Sequence, residues 1–248
     1  MVRVIAVKSK EEMGKEASAI IAAGMRQKPH YVLGLATGST PIPLYDELVR
    51  LQKDEGLDFS TTITFNLDEY IGLSPTHDQS YRHFMNEKLF RRVNINLKST
   101  HVPDGLAEDI EAHCAAYEAM IDDVAGIDCQ VLGIGVNGHI GFNEPGSSLA
   151  SRTRAVDLTE ETIRANSRFF KSADEVPKRA ISMGIGTVLE ADKILVLASD
   201  AGKAKAVTAA LEGPVTIKVP ASALQLHPDV TFILTQDAAA GLTLKFRR

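Results

Sequence analysis

Short β-branched runs separated by longer stretches of helical period restrict this chain more than any other feature, because such an alternation packs as crossover units around a mostly parallel sheet. The runs lie at 2–7, 31–36, 61–65, 128–134, 194–198 and 230–234. Between the first two, Ser9 followed by Glu12 forms a capping-box signature, and Met13, Ala17, Ala19, Ile20 and Ala23 predict the apolar stripe of a covering helix. After the second, Thr40 is placed to cap, Pro41 suits a first helical turn, and Leu44, Leu48 and Leu51 repeat at helical spacing. The region 74–128 reads as two helices separated by an irregular stretch near 99–105, a flap or a helical insertion. No internal repeat, low-complexity tract or Pro/Ser linker interrupts the pattern. With 248 residues and 44% hydrophobic content, the expectation is one domain over 1–248: an α/β fold with an open, mostly parallel sheet flanked by helices, Rossmann-like in layout.

Several function classes are disfavoured by what the chain does not contain. Its first apolar run is too short for a secretory segment and no stretch approaches the length of a bilayer span, so a cytoplasmic protein is expected. Cys114 and Cys129 are the only cysteines, too few for a disulfide framework or a four-thiolate zinc site, and read as buried free thiols. A formal charge of -5 without a block of Lys and Arg argues against nucleic-acid or anionic-membrane partners. An anionic ligand would have to be held by local groups.

In an open parallel sheet, ligands sit beyond the carboxyl ends of the strands, so the polar residues that follow the β-runs are the ones to weigh. The first group is Leu35-Ala36-Thr37-Gly38-Ser39-Thr40-Pro41, between a strand and a helix. Gly38 permits a tight turn, backbone N–H groups converge there, and Thr37, Ser39 and Thr40 add hydroxyls, an arrangement suited to phosphate; an ordinary capped turn is the alternative. It is neither a Walker loop nor a GxGxxG fingerprint. The second group ends the third run with adjacent carboxylates, Asp68 and Glu69. Neighbouring side chains of an extended segment point to opposite faces, so one of them would enter a cleft as a general base and the other would serve structure. A solvated loop pair is the competing reading.

The third group, 133–146, crowds five glycines around His139, with Asn137 and Glu144 close by. An imidazole oriented by a carboxylate is a competent acid–base pair near neutral pH. His77, His83, His101 and His113 have no such setting and read as satisfied residues. No His-x-x-x-His or Cys cluster accompanies His139, so no metal is expected there. The fourth group is cationic: Arg168, beside two aromatics, and Lys203, after the run at 194–198, supply bidentate and point charges for an anion. For Lys203 a solvated helix-start lysine is an equal alternative.

Taken together, Gly34-Leu35-Ala36-Thr37-Gly38-Ser39-Thr40-Pro41, Phe65-Asn66-Leu67-Asp68-Glu69-Tyr70, Gly138-His139-Ile140-Gly141-Phe142-Asn143-Glu144-Pro145, Ser147-Ser148-Leu149-Ala150-Ser151-Arg152-Thr153-Arg154 and Ala165-Asn166-Ser167-Arg168-Phe169-Phe170 resemble the glucosamine-6-phosphate deaminase family over nearly the whole chain. The resemblance implies a deaminase-type fold, with a helical flap around 147–170, and conversion of glucosamine 6-phosphate to fructose 6-phosphate and ammonia without a cofactor. It further implies that His139 opens the sugar ring with Asn137 and Glu144 holding it, and that Asp68 moves the C2 proton to C1. Thr37, Gly38, Ser39, Thr40, Arg168 and Lys203 would bind the phosphate.

Two departures refine these expectations. Asn137 stands where many family members carry Asp, which lowers the basicity expected of His139. Arg154 is followed by Ala155-Val156 rather than by lysine, and the carboxyl end 244–248 lacks the family's terminal aromatic effector contact. Weak or absent activation by N-acetylglucosamine 6-phosphate, and a monomer or small homo-oligomer, follow as expectations. The competing readings are a 6-phosphogluconolactonase, which shares the fold, and a catalytically silent sugar-phosphate sensor.

Overall fold

The computed structural model describes residues 2–167, 170, 172 and 175–243. The chain runs β1 (Val2–Val7), α1 (Lys10–Gln27), β2 (Val32–Leu35), α2 (Ile42–Glu55), β3 (Ile63–Asn66), β4 (Asp68–Tyr70) and α3 (Tyr81–Met85), which continues as a π-turn over Asn86–Phe90. It proceeds through β5 (Thr100–His101), α4 (Ile110–Asp123), β6 (Cys129–Gly133), β7 (Arg154–Asp157), α5 (Glu160–Ser167), β8 (Arg179–Ser182), α6 (Ile185–Leu189), β9 (Ile194–Ala198), α7 (Ala204–Glu212) and β10 (Val230–Thr235).

Seven strands form one sheet in the order β1-β10-β9-β6-β2-β3-β5, and every pairing in it is parallel. The central strands read as continuous apolar runs because both faces are covered: β2, β9 and β10 are buried at every position. On one face Leu33, Leu35, Val131, Leu195 and Ile233 pack against Met13, Ala17 and Ile21 of α1 and Leu44 and Leu48 of α2. On the other, Val32, Leu132, Val196 and Phe232 meet Tyr117 and Ile121 of α4 and Val207 and Ala210 of α7. The six β-runs read from the sequence all appear, within two residues of their expected bounds.

Other expectations need correction. The buried face of α1 is Met13, Gly14, Ala17, Ser18, Ile21 and Ala22, while Ala19 and Ala23 are exposed. Small residues face α2 because the helices approach closely: a Cβ at Gly14 would lie 2.5 Å from the Pro43 carbonyl carbon. Hydrophobicity cannot reveal a face selected for smallness. Ser9 accepts from the Glu12 N–H at 3.2 Å as the capping box requires, but Glu12 reaches back to the N–H of Lys8 rather than Ser9. Thr40 does not cap α2; Pro41 holds that position in helical conformation and no side chain caps. The irregular stretch near 99–105 contains the edge strand β5.

A second sheet, β4-β8-β7, is antiparallel and was not visible in the sequence. β3 ends at Asn66 and β4 begins at Asp68, so the chain changes sheets across the single residue Leu67. The segment 147–170 therefore holds strand β7 as well as helix α5.

Candidate active site

The geometry of the large sheet selects one location. β2 and β6 are neighbours, yet the chain leaves β2 toward β3 and β5 and leaves β6 toward β9 and β10. Loops on either side of such a reversal diverge and leave a crevice beyond the carboxyl ends of the strands. A cavity of about 350 Å³ lies there, lined by the turn 37–40 after β2, Asp68 of β4, the loop after β6 with Asn137, His139 and Glu144, and Lys203.

The turn after β2 needs Gly38, whose φ is +92°, a region that costs a side chain energy and glycine little. Thr37 and Thr40 are half-buried, and all four residues from Thr37 to Thr40 line the cavity. Thr40, released from capping, faces the cavity instead. Across from this turn Lys203 ends the short turn Ala201–Lys203 before α7. Burial lowers its pKa, opposed by the charge of Asp200. Arg168, expected beside it, lies outside the described residues.

The adjacent carboxylates divide as strand alternation requires. Asp68 faces the cavity at 7% exposure, and no described group donates a hydrogen bond to its carboxylate. Burial, reinforced by the charge of Glu69, pushes its pKa up to about 8. Glu69 turns the other way and accepts the backbone N–H groups of Tyr70 at 2.8 Å, Tyr81 at 3.0 Å and Arg82 at 3.0 Å, tying β4 to the start of α3. Burial raises its pKa and those three bonds counteract it. A solvated loop pair is thereby excluded, since both carboxylates are buried.

The loop after β6 is folded around His139. The Gly135 N–H donates to the His139 carbonyl at 2.9 Å, and a Cβ at Gly135 would stand 2.3 Å from the imidazole, so only glycine lets the ring lie there. Asn137 links the pair: its Oδ1 accepts the His139 N–H at 3.1 Å and its Nδ2 donates to Glu144 Oε2 at 2.8 Å. Glu144 Oε1 lies 3.4 Å from His139 Nδ1, and that nitrogen is buried without a hydrogen-bond partner, so the contact is electrostatic rather than a formed bond. Burial pushes the Glu144 carboxyl up, but His139, Asn137 and Thr162 together outweigh it and hold the pKa at about 2.

Sequence reasoning missed Thr162, Glu161, Tyr81 and Phe142. Thr162, on α5, donates to Glu144 Oε1 at 2.9 Å, and Glu161 lines the same cavity. Tyr81 and Phe142 form an aromatic wall, stacked with centroids 6.2 Å apart. Phe142 lies within the 133–146 segment already singled out, whereas Tyr81 at the start of α3 and Glu161 and Thr162 on α5 carry no local signal. Arg154 of β7 and Asp68 of β4 both pair with Ser182 of β8, and Arg154 donates to Asn143 Oδ1 at 2.9 Å. This fastens the 140s loop to the sheet that presents Asp68. Cys114 and Cys129 are buried free thiols away from the cavity lining. Among the described residues, no three His, Cys, Asp or Glu side chains group as a metal site, and no helix is long and apolar enough to cross a membrane.

One cavity brings together the 37–40 turn and Lys203, suited to an anion, a buried carboxylate of raised pKa and an imidazole–carboxylate pair. That combination suits proton movement on a small phosphorylated substrate. A family model described as glucosamine-6-phosphate isomerases/6-phosphogluconolactonase matches residues 7–233. The glucosamine-6-phosphate deaminase of Thermoanaerobacter pseudethanolicus is 52% identical over 238 residues, covering 96% of this chain and 94% of its own. That of Clostridioides difficile is 53% identical over 243 residues, 98% of each chain. A solved structure described as a monomeric glucosamine-6-phosphate deaminase superposes with a TM-score of 0.94 at 46% identity, covering 97% of this chain and 100% of that one. The 6-phosphogluconolactonase of Leishmania guyanensis shares the fold, with a TM-score of 0.76 at 22% identity over 98% of this chain and 100% of that one.

Proposed function

Since the chain belongs to the glucosamine-6-phosphate isomerase/6-phosphogluconolactonase family, we propose that it is a glucosamine-6-phosphate deaminase, forming fructose 6-phosphate and ammonia from glucosamine 6-phosphate and water. The observation that carries this reading is the buried Asp68 carboxylate, held at a pKa of about 8 in the same cavity as the 37–40 turn and Lys203.

The phosphate binds the backbone and hydroxyls of Thr37, Gly38, Ser39 and Thr40, with Lys203 and Arg168 supplying charge. Anchoring this remote group fixes the reacting carbons. His139, supported by Asn137 and Glu144, takes the proton of the anomeric hydroxyl and returns one to the ring oxygen, opening the ring to the aldehyde. Asp68 then removes the C2 proton, the C–H electrons form the C1–C2 double bond, and the carbonyl oxygen takes up a proton from solvent, giving an enolamine. Protonation at C1 yields the ketose imine, and water replaces the nitrogen, releasing ammonia. These steps are proton transfers and one hydrolysis, so they require no redox partner.

The similarity to a relative described as monomeric supports a monomer or small homo-oligomer, and the charge of -5 without a block of Lys and Arg supports a sugar phosphate rather than nucleic acid or a membrane as partner. The test is to incubate purified protein with glucosamine 6-phosphate, without added metal or nucleotide, and to measure both products. Equal formation of ammonia and fructose 6-phosphate, abolished by Asp68→Asn, is expected. Acid released from 6-phosphogluconolactone with no ammonia from the amino sugar would make the chain a lactonase, and binding without turnover a sensor.

A further inference from the structure

Glu144 Oε1 has two neighbours that compete for it. The Thr162 hydroxyl donates to it at 2.9 Å, while His139 Nδ1 stands 3.4 Å away with no hydrogen-bond partner although it is buried. The donor role of Thr162 is fixed by a second bond, because its oxygen accepts the Thr159 hydroxyl at 3.0 Å and its proton is thereby directed to Glu144. Thr159 Oγ1 in turn accepts the Thr162 N–H at 3.2 Å, which makes it the cap of α5. The start of this helix, the side chain of Thr162 and the carboxylate behind the imidazole are thus one connected unit.

We infer that Thr162 is a positioning residue for the His139–Glu144 pair, holding Glu144 Oε1 away from a formed hydrogen bond with His139 and so setting how readily the imidazole takes a proton. The inference deepens the proposed ring-opening step and rests on that reading for its catalytic meaning. Its physical content stands without it. A carboxylate whose lone pairs are engaged by Asn137 on Oε2 and Thr162 on Oε1 stabilises an adjacent imidazolium less than one hydrogen-bonded to it directly. The other charged residues lining the cavity with the imidazole are Asp68 from β4, Glu161 from α5 and Lys203 from the turn before α7. None of these is altered by a change at Thr162, so a shift on substitution reports the Glu144 contact.

The experiment follows the ring nitrogens of His139 by NMR in protein carrying labelled histidine, with the signal assigned by its loss in His139→Gln. Thr162→Val keeps the shape and removes the donor; Thr162→Ser keeps the donor. In Thr162→Val the His139 titration moves to higher pH by about one unit, a tenfold change in acidity, and Thr162→Ser restores the wild-type midpoint. A Thr162→Val titration that coincides with wild type overturns the inference, as does a Thr162→Ser protein that titrates like Thr162→Val. Should the valine variant fold poorly, Thr162→Ala removes the same donor and is read in the same way. The activity arm is separate: kcat falls in Thr162→Val with KM unchanged, because the phosphate cradle is untouched. A shifted titration in a protein that forms no ammonia would retain the positioning role and reject the deaminase reading, and an unshifted titration in an active protein would do the reverse.

Discussion

Asp68 and Glu69 show how one sequence step separates chemistry from support. Asp68 must be ionised to take a carbon-bound proton, and burial beside Glu69 holds its pKa at about 8. In the free enzyme kcat/KM therefore falls about tenfold per pH unit below about pH 8, a limb that a pH–rate profile of the unliganded enzyme measures. Stability moves in the opposite sense. The folded pKa is raised above the unfolded value, so the contribution of Asp68 is fully present below about pH 4 and is lost as pH rises through about 8. Asp68→Asn should lose less melting temperature than wild type over that interval. Replacing Glu69 by Gln acts on both quantities: it removes the charge that raises the Asp68 pKa and presents an amide donor to backbone N–H groups. The acid limb should shift to lower pH while the fold loses about 2 kcal/mol, read by denaturant unfolding. The pair was legible because alternation in a strand forces two adjacent carboxylates apart. Thr162 was not, because nothing in the sequence near it foretells a partner 18 positions away.

At the level of elements, the strands of the large sheet came through because they are buried and predominantly apolar runs that stand out against helical periods. The antiparallel β4, β7 and β8 did not: they are three or four residues long, half-exposed in β7, and β4 joins them only through a register that sets Asp68 against Ser182. The turn entering α7 carries its own record of constraint. Asp200 sits at φ 77° and ψ 153°, a conformation that glycine adopts freely and other residues only under strain, and its N–H donates to Thr235 Oγ1 at 3.2 Å. Relief of that strain exceeds the added chain freedom of glycine, so Asp200→Gly should stabilise the protein by about 1 kcal/mol, a rise of roughly 2–4 °C in Tm by calorimetry. Lys203, three residues on, would lose the neighbouring charge that keeps its pKa from falling further.

For the whole molecule, the sequence conveyed an α/β layer structure and much of the lining of one cavity, since Thr37, Ser39, Thr40, Asp68, Asn137, His139, Glu144 and Lys203 all border it. What it did not convey is the second sheet that presents Asp68 to the cavity, because sheet order is a property of long-range pairing rather than local pattern. The family resemblance places a basic residue after Arg154 in effector-responsive members, and this chain has Ala155 there. Substrate dependence of the rate is therefore expected to be hyperbolic, and N-acetylglucosamine 6-phosphate should leave it unchanged; a sigmoidal curve made hyperbolic by that compound would refute this. Leu67, the one residue between β3 and β4, also separates two proposed roles within the molecule, since the proposed phosphate anchor at 37–40 hangs from the large sheet and the proposed base Asp68 from the small one. In the vocabulary of protein engineering, the proposed grip and the proposed C2 base are mounted on separate frames joined by a single linker residue, while His139 is mounted with the grip. Diversity introduced at 68–70, 154–157 and 179–182 should alter what is done to a held sugar phosphate before it alters whether one is held.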